Sequence, residues 1–565
     1  MCGIFFSLSR HGYISPDKST VDLLHNRGPD FIKITTAPIE QDEAGGSELY
    51  ATFLSTVLSL RGTEIVKQPK TDHSSGCILC WNGEAWSVNG DSVTGSDTEV
   101  VYDLLITAAS TGGRPAVIEL LSNMRGPYAM IFWDRFNKCL YYGRDCLGRR
   151  SLLRKTTTDG SLLLSSVCDN ASGEGWEEVE ADGIYMLDLG HLRNPLSTYH
   201  VPHVRMGVAL RSTLSFKLPF PPLNREEPVS HEPVHQKMLD LGDSLRRSLA
   251  LRTQHVREAF DATSSSTNER PDHAAKVAVL FSGGLDCTIL ARLCDDLLPL
   301  NESIDLLNVA FENPRIHSNL EGGTSPYELC PDRITGRGSH AELQQVCPDR
   351  QWRFVEVNVP YAETVAHRQS VMTLMHPHNT EMDLSISYAL YFASRGAGSI
   401  SSPSPEGKPQ PYATPARVLL SGLGADELFG GYQRHTTAFS RQGYTGLLDE
   451  LQLDFERLGK RNLGRDDRVI SNSGREVRFP FLDEDFIAMA LQLPVAEKCD
   501  FGRPEYKLGG KGEEIVIEPA KRILRRLAYE LGMKKVAKEK KRAIQFGART
   551  AKMETGKTKG THVLT

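Results

Sequence analysis

Four stretches in the second half of the chain, KVAVLFSGG, DLLNVAFE, FVEVNV and ARVLLSGLG, are read as continuous apolar runs rich in Val, Leu and Phe. Each is about strand length and bounded by glycine or polar turns. A strand apolar on both faces has no side for water, so it belongs inside a parallel sheet covered by helices. The second half is therefore read as a doubly wound α/β domain. Two stretches interrupt it, 313–348 and 396–415, whose Pro, Ser and Gly content marks them as insertions or mobile loops.

The first 200 residues follow another rule. GIFFSLS, YATFLSTVLSL, GCILCWNG, YAMIFWD, CLYYGRD and SLLLSSV read as short antiparallel strands, and SDTEVVYDLLITAAS as a helix capped by Ser96 or Asp97. A Pro-rich link, FKLPFPPLNREEP, a helix over HQKMLDLGDSLRRSLALRTQ and a polar stretch, DATSSSTNERPDH, separate the halves, with a boundary near residue 230. The lysine-rich end, METGKTKGTHVLT, reads as a tail, and no internal repeat is found.

A formal charge of -6 over 565 residues is small, which argues against a nucleic-acid or membrane-surface binder. No apolar run reaches the roughly 20 residues that span a bilayer, and the N-terminus lacks a secretory signal pattern. Eleven scattered cysteines, an odd number, read as reduced thiols. The expected compartment is the cytoplasm, with the nucleus as the other choice.

The chain opens MCGI. Loss of the initiator methionine would leave Cys2 with a thiol and an α-amine on one residue, so the nucleophile would carry its own base. HNRGPD (25–30) offers Arg27, a planar fork suited to a carboxylate. WNGEAW (81–86) puts Asn82 and Gly83 at a strand end, where an amide side chain and a backbone N–H can hold an oxyanion. SDTEV (96–100) supplies Asp97, which can pair with an ammonium group. Together these describe a pocket for glutamine.

MCGI, RGPD, NGE and SDTE, followed by GRDCLGRRSLL (143–153), resemble the N-terminal-nucleophile (Ntn) glutamine amidotransferase type 2 domain of asparagine synthetases. The resemblance implies an α+β domain of αββα layering over 2–200. It also implies Cys2 as nucleophile, Arg27 on the substrate carboxylate, Glu84 and Asp97 on its α-amine, and Asn82 with Gly83 as oxyanion hole. The segment between Cys2 and RGPD is shorter than is usual in that family.

VLFSGGLDCT (279–288) runs from a strand through small residues into a helix, a turn whose backbone N–H groups suit pyrophosphate. It lacks the lysine of a kinase-type phosphate loop. It resembles the PP-loop of ATP pyrophosphatases, which implies ATP contacts from Leu280, Ser282, Gly283, Gly284, Asp286, Cys287 and Thr288, with Asp286 on Mg2+. LLSGLGADELFGGY (419–432) resembles a second asparagine synthetase signature. By that resemblance Ser421 and Gly422 touch ATP and Asp426, with Glu427 beside it, is the other magnesium ligand. VRFPFLDEDF and KRILRRLA are similar to the family's C-terminal helices. KEKKRAIQFG resembles the loop of its catalytic lysine, assigned to Lys541 with the register open to its neighbours. The ATP-binding domain is placed at 230–548 and the tail at 549–565.

The resemblance implies hydrolysis of glutamine coupled to adenylation and amidation of a carboxylate, nominally aspartate, with AMP and pyrophosphate released. A homodimer is compatible with it. Two departures qualify the acceptor. Leu423 stands where asparagine synthetases carry a glutamate, and Asp383 lies where a hydroxyl-rich segment is expected. The chain looks like the divergent branch of asparagine synthetase domain-containing proteins. The competing readings are an amide ligase acting on another substrate and a scaffold without catalysis.

Overall fold

The computed structural model describes residues 2–40, 48–168, 175–190, 198–204, 216–228, 234–257, 274–321, 323–401, 408–503, 506–509, 514–553 and 560–564. The chain divides into two compact units. The first comprises Met1–Phe220, Met372–His378 and Leu458–Glu476, and the second Pro221–Val371, Asn379–Arg457 and Val477–Thr565.

In the first unit two sheets stack. One has the strand order Glu177–Glu178, Leu153–Thr156, Leu162–Ser165, Gly3–Ser9, Leu49–Val57, Phe31–Ile39, and is antiparallel throughout. In the other, Thr198–Val204, Gly183–Asp188, Cys139–Arg144, Tyr128–Asp134 and Ile78–Gly83 pair antiparallel. Alternation along each strand makes two cores. Ile4, Phe6 and Leu8 meet Ile78, Cys80, Ile131 and Trp133 between the sheets. Leu79, Trp81, Met130 and Phe132 point the other way, onto Val101, Tyr102 and Leu105 of the helix Asp97–Ser122. The helix Lys18–Arg27 covers the first sheet, where Leu24 carbonyl accepts from Thr56 Oγ1 at 2.7 Å. This is the αββα layering of an Ntn fold. Cys77, just before the strand Ile78–Gly83, and Cys80 within it belong to opposite cores and so do not share a metal; every cysteine among the described residues is a free thiol.

A late segment completes this unit. The helix Leu463–Ser471 buries Asp467, which pairs with Arg27 at 2.7 Å and with Arg150 at 3.6 Å, and accepts from the Ser151 backbone N at 3.1 Å. Arg150 also faces Glu476 at 3.3 Å. Removing one partner of such a pair strands a buried charge. Asp467→Ala is therefore expected to destabilise the protein by about 3–5 kcal/mol, read as a fall in the melting temperature of the first unit. An unchanged melting profile would contradict that role.

The second unit holds a sheet whose inner strands run Trp352–Val359, Ile304–Phe311, Val277–Leu280, Val418–Leu420, all parallel. The first of these in the chain, Val277–Leu280, sits between the next in sequence and the last. The order thus reverses beside it, and in open α/β sheets the carboxyl ends of strands at such a reversal, here Val277–Leu280 and Val418–Leu420, are where ligands bind. The helix His235–Thr253 lies where the sequence places it.

Two expectations are corrected. Within 313–348, Tyr327–Leu329 is a 3-10 turn and Pro331–Val346 a helix of 16 residues, begun by a proline at its first position. Its buried side is mostly small or polar, Gly336, Ser339 and Glu342 beside Leu343, so it lacks an apolar stripe. Within 396–415, Ala397–Ile400 and Gln410–Ala413 form an antiparallel hairpin, with 402–407 outside the described residues. The polar stretch 261–273 and tail residues 554–559 also lie outside them. The end of the tail is anchored rather than free: Glu381 N donates to His562 O at 2.9 Å and Leu564 N to Asn379 O at 2.8 Å. Among the described residues no helix is long and apolar enough to cross a membrane.

Candidate active sites

In the first unit, Cys2 leads into the strand Gly3–Ser9 and is 7% exposed. Its backbone N donates to Asn82 Oδ1 at 3.1 Å. With Oδ1 so engaged, Asn82 Nδ2 is buried and makes no hydrogen bond. The strand Ile78–Gly83 brings Asn82 there, and its last residue must be glycine, because a Cβ at Gly83 would lie 2.6 Å from Pro127 O. Burial pushes the Cys2 thiol up, so at neutral pH it rests protonated and needs a base.

A cavity opens beside the thiol, lined by Cys2, Gly83, Glu84 and Asp97 together with Arg61, Gln68 and Glu476. Asp97 opens the helix Asp97–Ser122, and its Oδ2 accepts from Trp81 Nε1 at 2.8 Å and Ala85 N at 3.0 Å. Burial raises its carboxyl, against the opposing pull of Arg61. Arg61 Nη1 lies 3.3 Å from Glu84 Oε2 and also donates to Ala85 O.

Arg27 does not line this cavity. Its fork does hold a carboxylate, but an internal one: Asp467, with Ser471 Oγ as a further acceptor, leaving the guanidinium 1% exposed. The assignment of Arg27 to the substrate carboxylate is therefore corrected. The cation among the cavity-lining residues is Arg61, which lies in the 58–69 connection where no periodicity distinguishes it. Gln68 was equally inconspicuous, as a lone amide before a proline.

In the second unit the strand Val277–Leu280 ends at Leu280 and passes through Ser282, Gly283 and Gly284 into the helix Leu285–Leu297. Gly283 has φ +79°, and a Cβ on it would meet Gly336 Cα at 2.4 Å. The helix that read as an insertion thus presses on this turn, and Ser339 Oγ donates to Gly283 O at 2.6 Å. Ser282 Oγ accepts from Gly284 N at 3.3 Å and lies 3.6 Å from Cys287 Sγ. Thr288 is buried with its hydroxyl unpartnered. After the neighbouring strand, Ser421 and Gly422 come next to the same turn, and a Cβ on Gly422 would lie 2.8 Å from Asp286 Cβ.

This close approach brings Asp286 and Asp426 onto one ammonium group. Lys521 Nζ stands 2.5 Å from Asp286 Oδ2 and 2.5 Å from Asp426 Oδ1, and Lys541 pairs with Asp426 Oδ2. Burial works against the charge on Asp426, but Lys521 and Lys541 outweigh it and hold the carboxyl well below the usual range. Lys521, at φ +56°, occupies left-handed backbone just before the helix Arg522–Glu530. A Cβ on Gly431 would strike its side chain, at 2.3 Å from Cε. In the sequence Lys521 only opens KRILRRLA, which has the pattern of an ordinary amphipathic helix.

The donor set fits a hard divalent cation. Asp286 Oδ1 is buried without a hydrogen-bond partner, and two carboxylates from the first turns of the helices that follow adjacent strands leave the remaining positions to phosphate oxygens and water, as magnesium prefers. No cluster of three acidic, His or Cys ligands occurs among the described residues. Glu427 turns away and accepts from Tyr432 OH at 2.6 Å. Asp383 is consumed in a capping box with Thr380 at the start of the helix Glu381–Ser394.

The family profile described as Asparagine synthase matches residues 411–449 and 441–560, and that of the Glutamine amidotransferase domain matches 57–171. Asparagine synthetase domain-containing protein 1 of Gallus gallus is 34% identical over 100% of this chain and 99% of its own length. The Homo sapiens protein of the same name is 33% identical over 98% of this chain and 96% of its length. An asparagine synthetase domain-containing protein of Saccharomyces cerevisiae is 33% identical over 91% of this chain and 86% of its length.

Proposed function

Since the chain belongs to the family of asparagine synthetase domain-containing proteins, we propose that it releases ammonia from glutamine at Cys2 and uses ATP to activate a carboxylate, aspartate in the first instance, for amidation. The observation that carries the reading is the Asn82 carboxamide, which anchors the Cys2 backbone with one end and leaves the other buried and unpartnered. A buried donor without an acceptor costs about 1–3 kcal/mol, which an oxyanion at that position would recover.

With Met1 removed, the α-amine of Cys2 takes the thiol proton and sulfur attacks the side-chain carbonyl of glutamine. The carbonyl electrons move to oxygen, held by Asn82 Nδ2 with the backbone of Gly83. Collapse breaks the C–N bond, and ammonia leaves with the proton returned by the amine. Water then cleaves the thioester to glutamate and restores the thiol. Arg61 holds the substrate carboxylate, and Glu84 and Asp97 its ammonium group; that charge also relieves the cost of ionising buried Asp97. Asn82→Ala is expected to lower kcat for glutamine hydrolysis by about 10²–10³-fold with KM little changed. An unaltered kcat would remove Asn82 from the oxyanion site.

At the second site the 282–284 turn and the N-terminus of Leu285–Leu297 are suited to the phosphates of ATP. Asp286 and Asp426 would hold Mg2+, which screens the negative charge that develops on pyrophosphate. Lys541 and Lys521 keep positive charge beside the same oxygens. The substrate carboxylate displaces pyrophosphate from the α-phosphorus, and ammonia then displaces AMP.

Leu423 favours a second reading of the acceptor alone. It follows Gly422 in the turn beside Asp286, and its apolar side chain can neither move a proton nor bind an ammonium ion, so an acceptor other than aspartate is compatible with the same adenylation. Incubation with ATP, Mg2+ and glutamine, with and without aspartate, separates the cases. Glutamate with AMP and asparagine supports the first. Glutamate with AMP but no asparagine supports the second, and neither glutamate nor AMP leaves a scaffold.

A further inference from the structure

The nucleophile has a partner that the mechanism above does not use. Gln68 is 2% exposed and lies against the cavity. Its Oε1 accepts from the Trp81 backbone N at 2.8 Å, which fixes the amide so that Nε2 faces the opposite way. Nε2 donates to Cys2 Sγ at 3.6 Å and to Thr98 Oγ1 at 3.4 Å. Trp81 in turn donates its indole N–H to Asp97. Asp97, Trp81, Gln68 and Cys2 are thus joined in one chain of contacts from the acidic end of the cavity to the sulfur.

Resting on the glutamine-hydrolysing reading of this site, we propose that Gln68 is a positioning residue for the nucleophile, holding the Cys2 side chain in its attacking rotamer and donating a hydrogen bond to the sulfur as it becomes a thiolate. Among the charged groups facing that sulfur, the N-terminal ammonium favours its ionisation and Asp97 and Glu476 oppose it, while Glu84 and Arg61 also line the cavity. Beside the Leu58 backbone N–H, the Gln68 amide is a second neutral donor aimed at sulfur, and it favours the anion without engaging Arg61. No proton leaves Gln68: the thiol proton passes to the α-amine, and the amide returns to the same contact when the thioester is cleaved.

The test is the pH profile of Cys2 alkylation by iodoacetamide, followed by mass spectrometry of the N-terminal peptide in the full-length protein. Gln68→Leu removes the donor, and Gln68→Glu keeps the size while placing a negative charge against sulfur. The midpoint is expected to rise by about one pH unit in the first and by more in the second, and kcat for glutamine hydrolysis at neutral pH to fall about tenfold with KM unchanged. Midpoints equal to that of the parent in either folded variant would overturn the inference. Alkylation needs no turnover, so the two readings fail separately. Shifted midpoints in a protein that never hydrolyses glutamine would sink the functional reading and leave the Gln68 contact standing. Unshifted midpoints in an active enzyme would do the reverse.

Discussion

Cys2→Ala is expected to abolish glutamine-dependent turnover, by at least about 10³-fold, while ammonia supplied as a salt still supports whatever amide synthesis the second site performs. The expectation rests on the division of labour in the first unit. In the proposed mechanism Asn82, Gly83, Glu84 and Asp97 bind glutamine and hold the oxyanion, but none of them could form the thioester, and alanine leaves nothing that could. Because Cys2 is buried and small, alanine also removes little packing, so loss of activity will not be confused with unfolding. Glutamate release and amide formation should be measured side by side. Glutamate production at the parental rate would exclude Cys2 as the nucleophile, and loss of ammonia-dependent synthesis would show that the substitution damages more than one step.

The second large effect is expected at Asp286. Asp286→Asn should lower ATP–pyrophosphate exchange by about 10³-fold, the equivalent of the several kcal/mol that a bound divalent cation lends to charge developing on a leaving phosphate. Asparagine is nearly isosteric, so the close packing of Gly422 on Asp286 survives. What changes is charge. Asp426 then stands alone against Lys521 and Lys541, and the cluster goes from two carboxylates balanced by two ammonium groups to a net positive charge that repels a cation. Raising the Mg2+ concentration should restore part of the activity if lost affinity is the cause. Exchange at the parental level would remove Asp286 from the metal site.

Much of this arrangement was legible in the sequence, for identifiable reasons. Continuous apolar runs admit one environment, and the inner parallel strands formed from them. NGE and SDTE sit at a strand end and a helix start, where backbone geometry alone fixes the direction of Asn82 and Asp97. Arg27 shows the limit. A rigid fork beside a Gly-Pro turn announces that it will hold a carboxylate but not whose, and its partner lies 440 positions away. The helix Pro331–Val346 escaped notice because its contacts are made through Gly336 and Ser339, residues chosen to let another backbone come near. Arg61, Gln68 and Lys521 sit in connections or at left-handed backbone, where neither periodicity nor spacing marks a residue.

The pairing of Arg27 and Arg150 with Asp467 sets a schedule for the cell. At roughly 5–20 residues per second, a ribosome needs about 20–90 s after making Arg27 to deliver its counter-ion, and Arg150, made within that interval, waits for the same residue. The amino-terminal third therefore cannot finish folding as it emerges. It must wait, hydrated and open, for a helix encoded near the far end of the message.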